Sequence, residues 1–199
     1  RIPFLLGFVV GVSGLYLRRH MGQEDVIETL KQGEGVSPSP IKELWQLHRN
    51  AAVKVFFFNW GFAVSIYLVF IYLTSYLHSF LRVPMHRALA ANTIAMVFMM
   101  CSIPFMGKCS DRVGRKPLLL IAFGGFILLA FPLFSLFFKQ TFMAILLALV
   151  IFALMESILQ GVAPAAMAEM FPARVRYTGL SVSYNVAMAV FGGTAPVTA

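Results

Sequence analysis

The sequence predicts an all-α, polytopic membrane protein, and three observations carry that prediction. Hydrophobic residues make up 59% of the 199 and charged residues only 12%, against about 25% charged in an ordinary soluble domain. Mean hydropathy is +0.81. The apolar residues fall in blocks of span length separated by polar connectors, and a helix satisfies its own backbone hydrogen bonds in lipid. A soluble helix is apolar along one stripe, not all round over most of a chain.

The elements follow from the blocks. A span needs about 20 apolar residues. Residues 2–17 read as the tail of one, ended by Arg18, Arg19 and His20. Full spans are expected at 55–77, 88–106, 118–138 and 142–163, the last running on towards Glu169, with an incomplete sixth at 178–199. Residues 18–54 form the long polar segment, broken by Gly33, Gly35, Pro38 and Pro40. Ser39-Pro40 reads as an N-cap followed by proline at the first helical position. Ile41, Leu44, Trp45 and His48 would share one face of the short helix that follows, suited to the membrane surface. The chain opens at Arg1 without Met and stops at Ala199 inside an apolar run, so an internal piece of a longer protein is expected.

Charge sets the orientation. Alternate connectors 18–54, 108–117 and 172–177 hold six, four and two Lys or Arg, against Arg1, Arg82, Arg87 and Lys139 on the other side. By the positive-inside rule the first set is cytoplasmic, in an inner (cytoplasmic) membrane. The lipid bilayer is then the principal partner. The net charge of +8 is spread over these connectors rather than gathered in a patch, so nucleic acid is not an expected partner. Cys101 and Cys109 give no metal spacing and no disulfide framework, so no metal site is expected.

The most informative stretch is Gly107–Pro117, Gly-Lys-Cys-Ser-Asp-Arg-Val-Gly-Arg-Lys-Pro, wedged between two spans. It is expected to be a short charged loop that forces an antiparallel pair. Gly107 allows close helix approach, and Gly114 supplies the backbone freedom of a tight turn. Asp111 is placed near a helix N-terminus or beside an Arg. Arg112, Arg115 and Lys116 hold the loop at the surface, and Pro117 suits the start of the next helix. A second stretch, Glu169-Met-Phe-Pro-Ala-Arg-Val-Arg-Tyr-Thr-Gly179, carries Glu169, Arg174 and Arg176 to the same side.

These two stretches resemble the signature segments of the major facilitator superfamily. The run from Ala168 to Pro196, with Arg1-Ile-Pro-Phe and Gly14-Leu-Tyr-Leu-Arg18, is similar to its metabolite:proton symporters, which include proline/betaine transporters and α-ketoglutarate and citrate permeases. The resemblance implies the C-terminal six-helix bundle of a twelve-helix fold. Residues 1–17 would close the N-terminal bundle, 18–54 would be the central linker, and 55–199 the C-terminal bundle. It implies proton-coupled symport by alternating access, with a proton and no cofactor, a small-molecule substrate, and the N-terminal bundle of the same chain as partner. Asp111, Arg112 and Arg115 would engage Glu169, with Arg174 or Arg176, as a gate. The alternatives are a facilitative sugar-type carrier of the same superfamily and a non-transporting membrane sensor.

Polar residues inside the spans supply the site candidates. A charge at mid-bilayer costs at least ~2.5–3.5 kcal/mol. Glu156 sits near the centre of its span, with Gln160 one turn on. It is expected to face a cavity and is the candidate proton carrier. Gly61, Ser65, Tyr72 and Tyr76 fall within about 40° of one face at helical spacing and are candidate cavity residues. Asn59, Tyr184 and Asn185 join them. An intramembrane enzyme is not expected, because Glu156 has no His, Asp or second Glu in its span. The visible spans hold Lys or Arg only at their ends, and aromatic faces favour quaternary ammonium groups, so an osmolyte such as proline or betaine is favoured over a carboxylate.

Overall fold

The computed structural model describes residues 12–14, 16, 40–172 and 175–192. Most of segment 1–17, all of 18–39 with Ser39, residues 173 and 174 with Arg174, and the end of 178–199 lie outside the described residues. Among the described residues all regular structure is helical. A short α1 (Pro40–Leu47) leads into α2 (Arg49–Ser79), α3 (Met85–Val113), α4 (Arg115–Phe137), α5 (Phe142–Glu169) and α6 (Arg176–Ala187). Helices α2 to α5 are each long and apolar enough to cross a membrane.

The helices outrun the apolar blocks that announce them. Nothing in Lys108–Val113 stops a helix, since that stretch has neither Pro nor Gly, so α3 continues through the stretch expected to be a loop. Gly114 alone separates α3 from α4. At the other end Phe80–Pro84 joins α2 to α3, and Phe138–Thr141 joins α4 to α5, with Arg82 and Gln140 at positive φ.

α5 is the most buried of the crossing helices, and its most extensive neighbour is α3, followed by α4. The α3–α5 approach is set by glycine. A Cβ on Gly161 would lie 2.9 Å from the Ile103 carbonyl oxygen and 3.1 Å from the Gly107 nitrogen. The two backbones therefore touch directly, as small residues permit in membrane bundles. α2 pairs instead with α6, and α1 rests on both, with Leu44 buried and Ile41 and Trp45 exposed.

α2 and α6 share a feature that the α3–α5 pair lacks. α2 passes through a π-turn at Leu68–Tyr72, where the Leu73 N–H donates to the Leu68 carbonyl five residues back. α6 continues into a π-turn at Met188–Gly192. In α2 the Phe70 carbonyl accepts from Asn92 Nδ2 of α3 and from Thr74 Oγ1, both at 3.1 Å. Side chains thus supply donors where the helical ladder is disturbed, and π-turns of this kind recur at functional positions.

Candidate functional site

At the end of the bundle that holds Arg49, Gly114 and Glu169, the connector expected to be a charged loop collapses to one residue. Gly114 adopts φ 98°, ψ 156°, a conformation essentially restricted to glycine. This turn sets Arg115 in the first turn of α4, from where its Nη1 reaches Glu169 Oε1 at the end of α5 across 2.7 Å. The two side chains are 28% and 61% exposed, so the pair contributes about 0–1 kcal/mol to stability.

The other members of the expected gate lie elsewhere. Asp111 stands in the last turn of α3, exposed, because the helix continues past the place where a helix N-terminus was expected. Among the described residues neither Asp111 nor Arg112 forms an ion pair. Arg112 is exposed on α3, and Lys116 is exposed on α4. Pro117 is the third residue of α4, where a missing N–H costs nothing. Arg176 donates through Nε to the Phe171 carbonyl at 3.2 Å, tightening the turn between α5 and α6. Gly179 is required there, since a Cβ would meet the Phe171 ring at 2.7 Å. Gly107 belongs to the α3–α5 crossing.

The larger cavity, about 640 Å³, opens between α2 and α4 and reaches Phe152 of α5. Gly61, Ser65 and Tyr72 of the expected stripe lie on its wall. Tyr76 does not: it stacks on Phe80 at 5.3 Å and meets Phe134 edge-on at 6.1 Å. The rest of the wall is almost wholly apolar, with Trp60, Phe123, Phe126 and Phe134 prominent.

A smaller cavity, about 300 Å³, lies between α5 and α6. Gln160, Ser181, Tyr184 and Asn185 line it, beside Phe62, Pro164, Met167 and Leu180. Here three of the sequence candidates converge, and Ser181 is added. The polar groups are an amide pair, a phenol and a hydroxyl, with no Lys, Arg, Asp or Glu among them. Asn59, expected on a cavity wall, is instead fully buried. Its Nδ2 donates to the Tyr184 carbonyl at 3.1 Å, and Ser183 Oγ donates to the Ala52 carbonyl at 3.4 Å. Both bonds tie α2 to α6.

Glu156 is 0% exposed and lines neither cavity, contrary to the expectation that a mid-span carboxyl faces open space. The packing of α5 against its neighbours is tight enough to enclose it. Neither carboxyl oxygen has a hydrogen-bond partner among the described residues. On α2, the Ser65 hydroxyl donates to the Phe62 carbonyl of its own helix at 2.9 Å. Asn92 escaped the sequence reading altogether. An amide inside an apolar run was the available signal, and its Oδ1 is a further buried acceptor without a partner.

A sequence profile described as the Major Facilitator Superfamily matches residues 1–196. A Staphylococcus aureus (strain MSSA476) protein named "Putative proline/betaine transporter" is 32% identical over 204 residues, covering 100% of this chain and 43% of that protein. The "Ectoine/proline transporter ProP" of Corynebacterium glutamicum is 29% identical over 214 residues, covering 99% and 41%. The "Proline/betaine transporter" of Escherichia coli (strain K12) is 28% identical over 203 residues, covering 98% and 41%. The chain therefore spans less than half the length of these relatives. No solved structure matches it significantly. A helical bundle with span-length helices, a glycine-hinged charged turn and a profile match along nearly every residue together mean that this chain belongs to the Major Facilitator Superfamily.

Proposed function

We propose that the full-length protein takes up a small zwitterionic osmolyte of the proline/betaine type together with protons, by alternating access. The observation that carries the substrate class is the wall of the smaller cavity. Gln160, Ser181, Tyr184 and Asn185 offer donors and acceptors without a fixed charge, and Phe62 adds an aromatic ring. Such a wall suits a solute whose own charges cancel, and its aromatic groups suit a quaternary ammonium. A di- or tricarboxylate would want a cation there. The names of the relatives point the same way.

In this reading the chain is the C-terminal bundle of the transporter, and its N-terminal bundle completes the cavity. The end with Arg115 and Glu169 faces the cytoplasm of an inner membrane. Their contact closes that side in one state and breaks in the other, which is what a two-state gate requires. Asp111 and Arg112, with Arg174 or Arg176, would join the same network around Glu169. Glu156 carries the coupling proton, being a carboxyl with no other charge balance in its helix.

The test is uptake into proteoliposomes holding the full-length protein. Labelled proline, betaine, α-ketoglutarate and citrate are compared with and without an imposed pH gradient. Gradient-driven uptake of proline or betaine, lost in Glu156→Gln, is the expected result. Uptake indifferent to the gradient would make the protein a facilitative carrier. Uptake of the carboxylates alone would overturn the substrate class.

A further inference from the structure

The two walls of the smaller cavity are held in different ways. Gln160 stands next to Gly161, where the backbones of α5 and α3 touch, so its place is fixed by that crossing. The facing wall of Ser181, Tyr184 and Asn185 belongs to α6, which packs chiefly on α2 and only lightly on α5. The place of that wall is therefore set from α2. Asn59 Nδ2 donates across to the Tyr184 carbonyl at 3.1 Å, and Ser183 Oγ donates back to the Ala52 carbonyl at 3.4 Å. Of these tethers, the one from Asn59 is the shorter, and it ends on a residue of the cavity wall.

Asn59 is a costly residue for its position. It is 0% exposed, and its Oδ1 has no hydrogen-bond partner among the described residues. A buried acceptor left unpaired lowers stability, and a leucine of similar size would leave none. Packing alone does not call for an amide here. Nor does the Tyr184 carbonyl, which also accepts from the N–H of Met188. What the amide adds is a limit on how far α6 can stand from α2. Close packing already prevents a nearer approach. Phe62, on the next turn of α2, lines the same cavity, so the limit is also one on the width of the cavity.

Width decides which ammonium fits. Zwitterions of the proline/betaine type differ most at nitrogen, where one carries N–H groups and the other methyl groups. One carbon more or less in a close-fitting pocket is worth about tenfold or more in selectivity. We infer that Asn59 is the positioning residue that sets substrate choice within this class. It holds the Tyr184 wall against Phe62, keeps the cavity narrow, and so raises the barrier to each added N-methyl group. This deepens the substrate reading proposed above and rests on it.

The experiment uses the full-length protein in proteoliposomes. The probes are proline, N-methylproline and N,N-dimethylproline, which share one ring and one carboxylate and differ by successive methyl groups on nitrogen. The readout is kcat/KM for N,N-dimethylproline divided by that for proline, a ratio that does not depend on how much of the protein is folded. Asn59→Leu should raise the ratio by roughly three- to tenfold, the equivalent of one lost hydrogen bond, with N-methylproline in between. Gly125→Ala, away from both tethers, should leave it unchanged. A ratio unmoved in Asn59→Leu, or moved as far in Gly125→Ala, overturns the inference. If Asn59→Leu does not fold, Asn59→Ser, whose hydroxyl sits on a shorter stem than the amide, decides by the same ratio. Wild-type protein that takes up none of the three solutes overturns the substrate reading instead, so the two failures are distinct.

Discussion

Two helix pairs make up most of this bundle, and they are built on opposite principles. α3 and α5 meet backbone to backbone at Gly107 and Gly161, with no π-turn in either helix. α2 and α6 both pass through π-turns and are held by side-chain amides and hydroxyls on carbonyls: Asn59 to Tyr184, Ser183 to Ala52, and Asn92 from outside the pair to Phe70. Close-packed backbones have one good arrangement, because any shift opens a void or a clash. Side-chain tethers on a helix with an irregular turn can be remade one bond at a time. The first pair is suited to keeping its shape, and the second to changing it. Residues of the smaller cavity come from both, Gln160 from the fixed pair and Ser181, Tyr184 and Asn185 from the adaptable one.

The contrast can be broken most forcefully at Gly161. Gly161→Ala sets a methyl against two backbone atoms that cannot turn aside, and overpacking of this kind costs about 1–3 kcal/mol. Thermal unfolding of the purified full-length protein should show a clear drop in midpoint. Gly125→Ala is the control. Its Cβ would lie 2.5 Å from Met155 Sδ, the far end of a flexible side chain, so a much smaller drop is expected. Equal effects would mean that the α3–α5 crossing is not special.

The adaptable pair should respond less in stability and more in function. Asn92→Ala takes one of two side-chain donors from the Phe70 carbonyl and should cost about 1 kcal/mol. Hydrogen exchange around Leu68–Tyr72 should rise; unaltered exchange would mean that Asn92 does not hold the π-turn. Asn59→Leu should cost about as much or less, because the Tyr184 carbonyl keeps the N–H of Met188. Its signature is uptake changed more than the unfolding midpoint, and the reverse order would place Asn59 in the rigid class. Smallest in stability is Glu169→Gln, at most about 1 kcal/mol for so exposed a pair. Cysteine accessibility at the end of the bundle that holds Arg115 and Glu169 should nonetheless shift, and no shift would remove their contact from the proposed gate.

How legible was this in the sequence? The four crossing helices were plain from their apolar blocks, since hydrocarbon tolerates little else. Their ends were not. Lys108–Val113 is charged, which signals the membrane surface, yet nothing in it breaks a helix, so polarity was mistaken for a loop. Gly114 was correctly singled out for its backbone, and its partner effect, the choice of Arg115 over Arg112 for Glu169, depends on which side of a one-residue break each Arg falls. The π-turn left no trace: Leu68-Val-Phe-Ile-Tyr72 could be any buried helix. A carboxyl at Glu156 could be found by its cost in lipid, but whether it faced a cavity or a packed interface was decided by residues distant in sequence.

The hinge at Gly114 has a consequence of handedness. A Cβ there would have ample room, its nearest neighbour being Pro117 Cδ at 3.8 Å, yet φ 98° is closed to ordinary side chains. Size is not what excludes alanine at this position; chirality is. A D-alanine placed there by semisynthesis should preserve the break between α3 and α4, where L-alanine strains it. The turn on which Arg115 swings towards Glu169 is thus specified by the one amino acid that is its own mirror image.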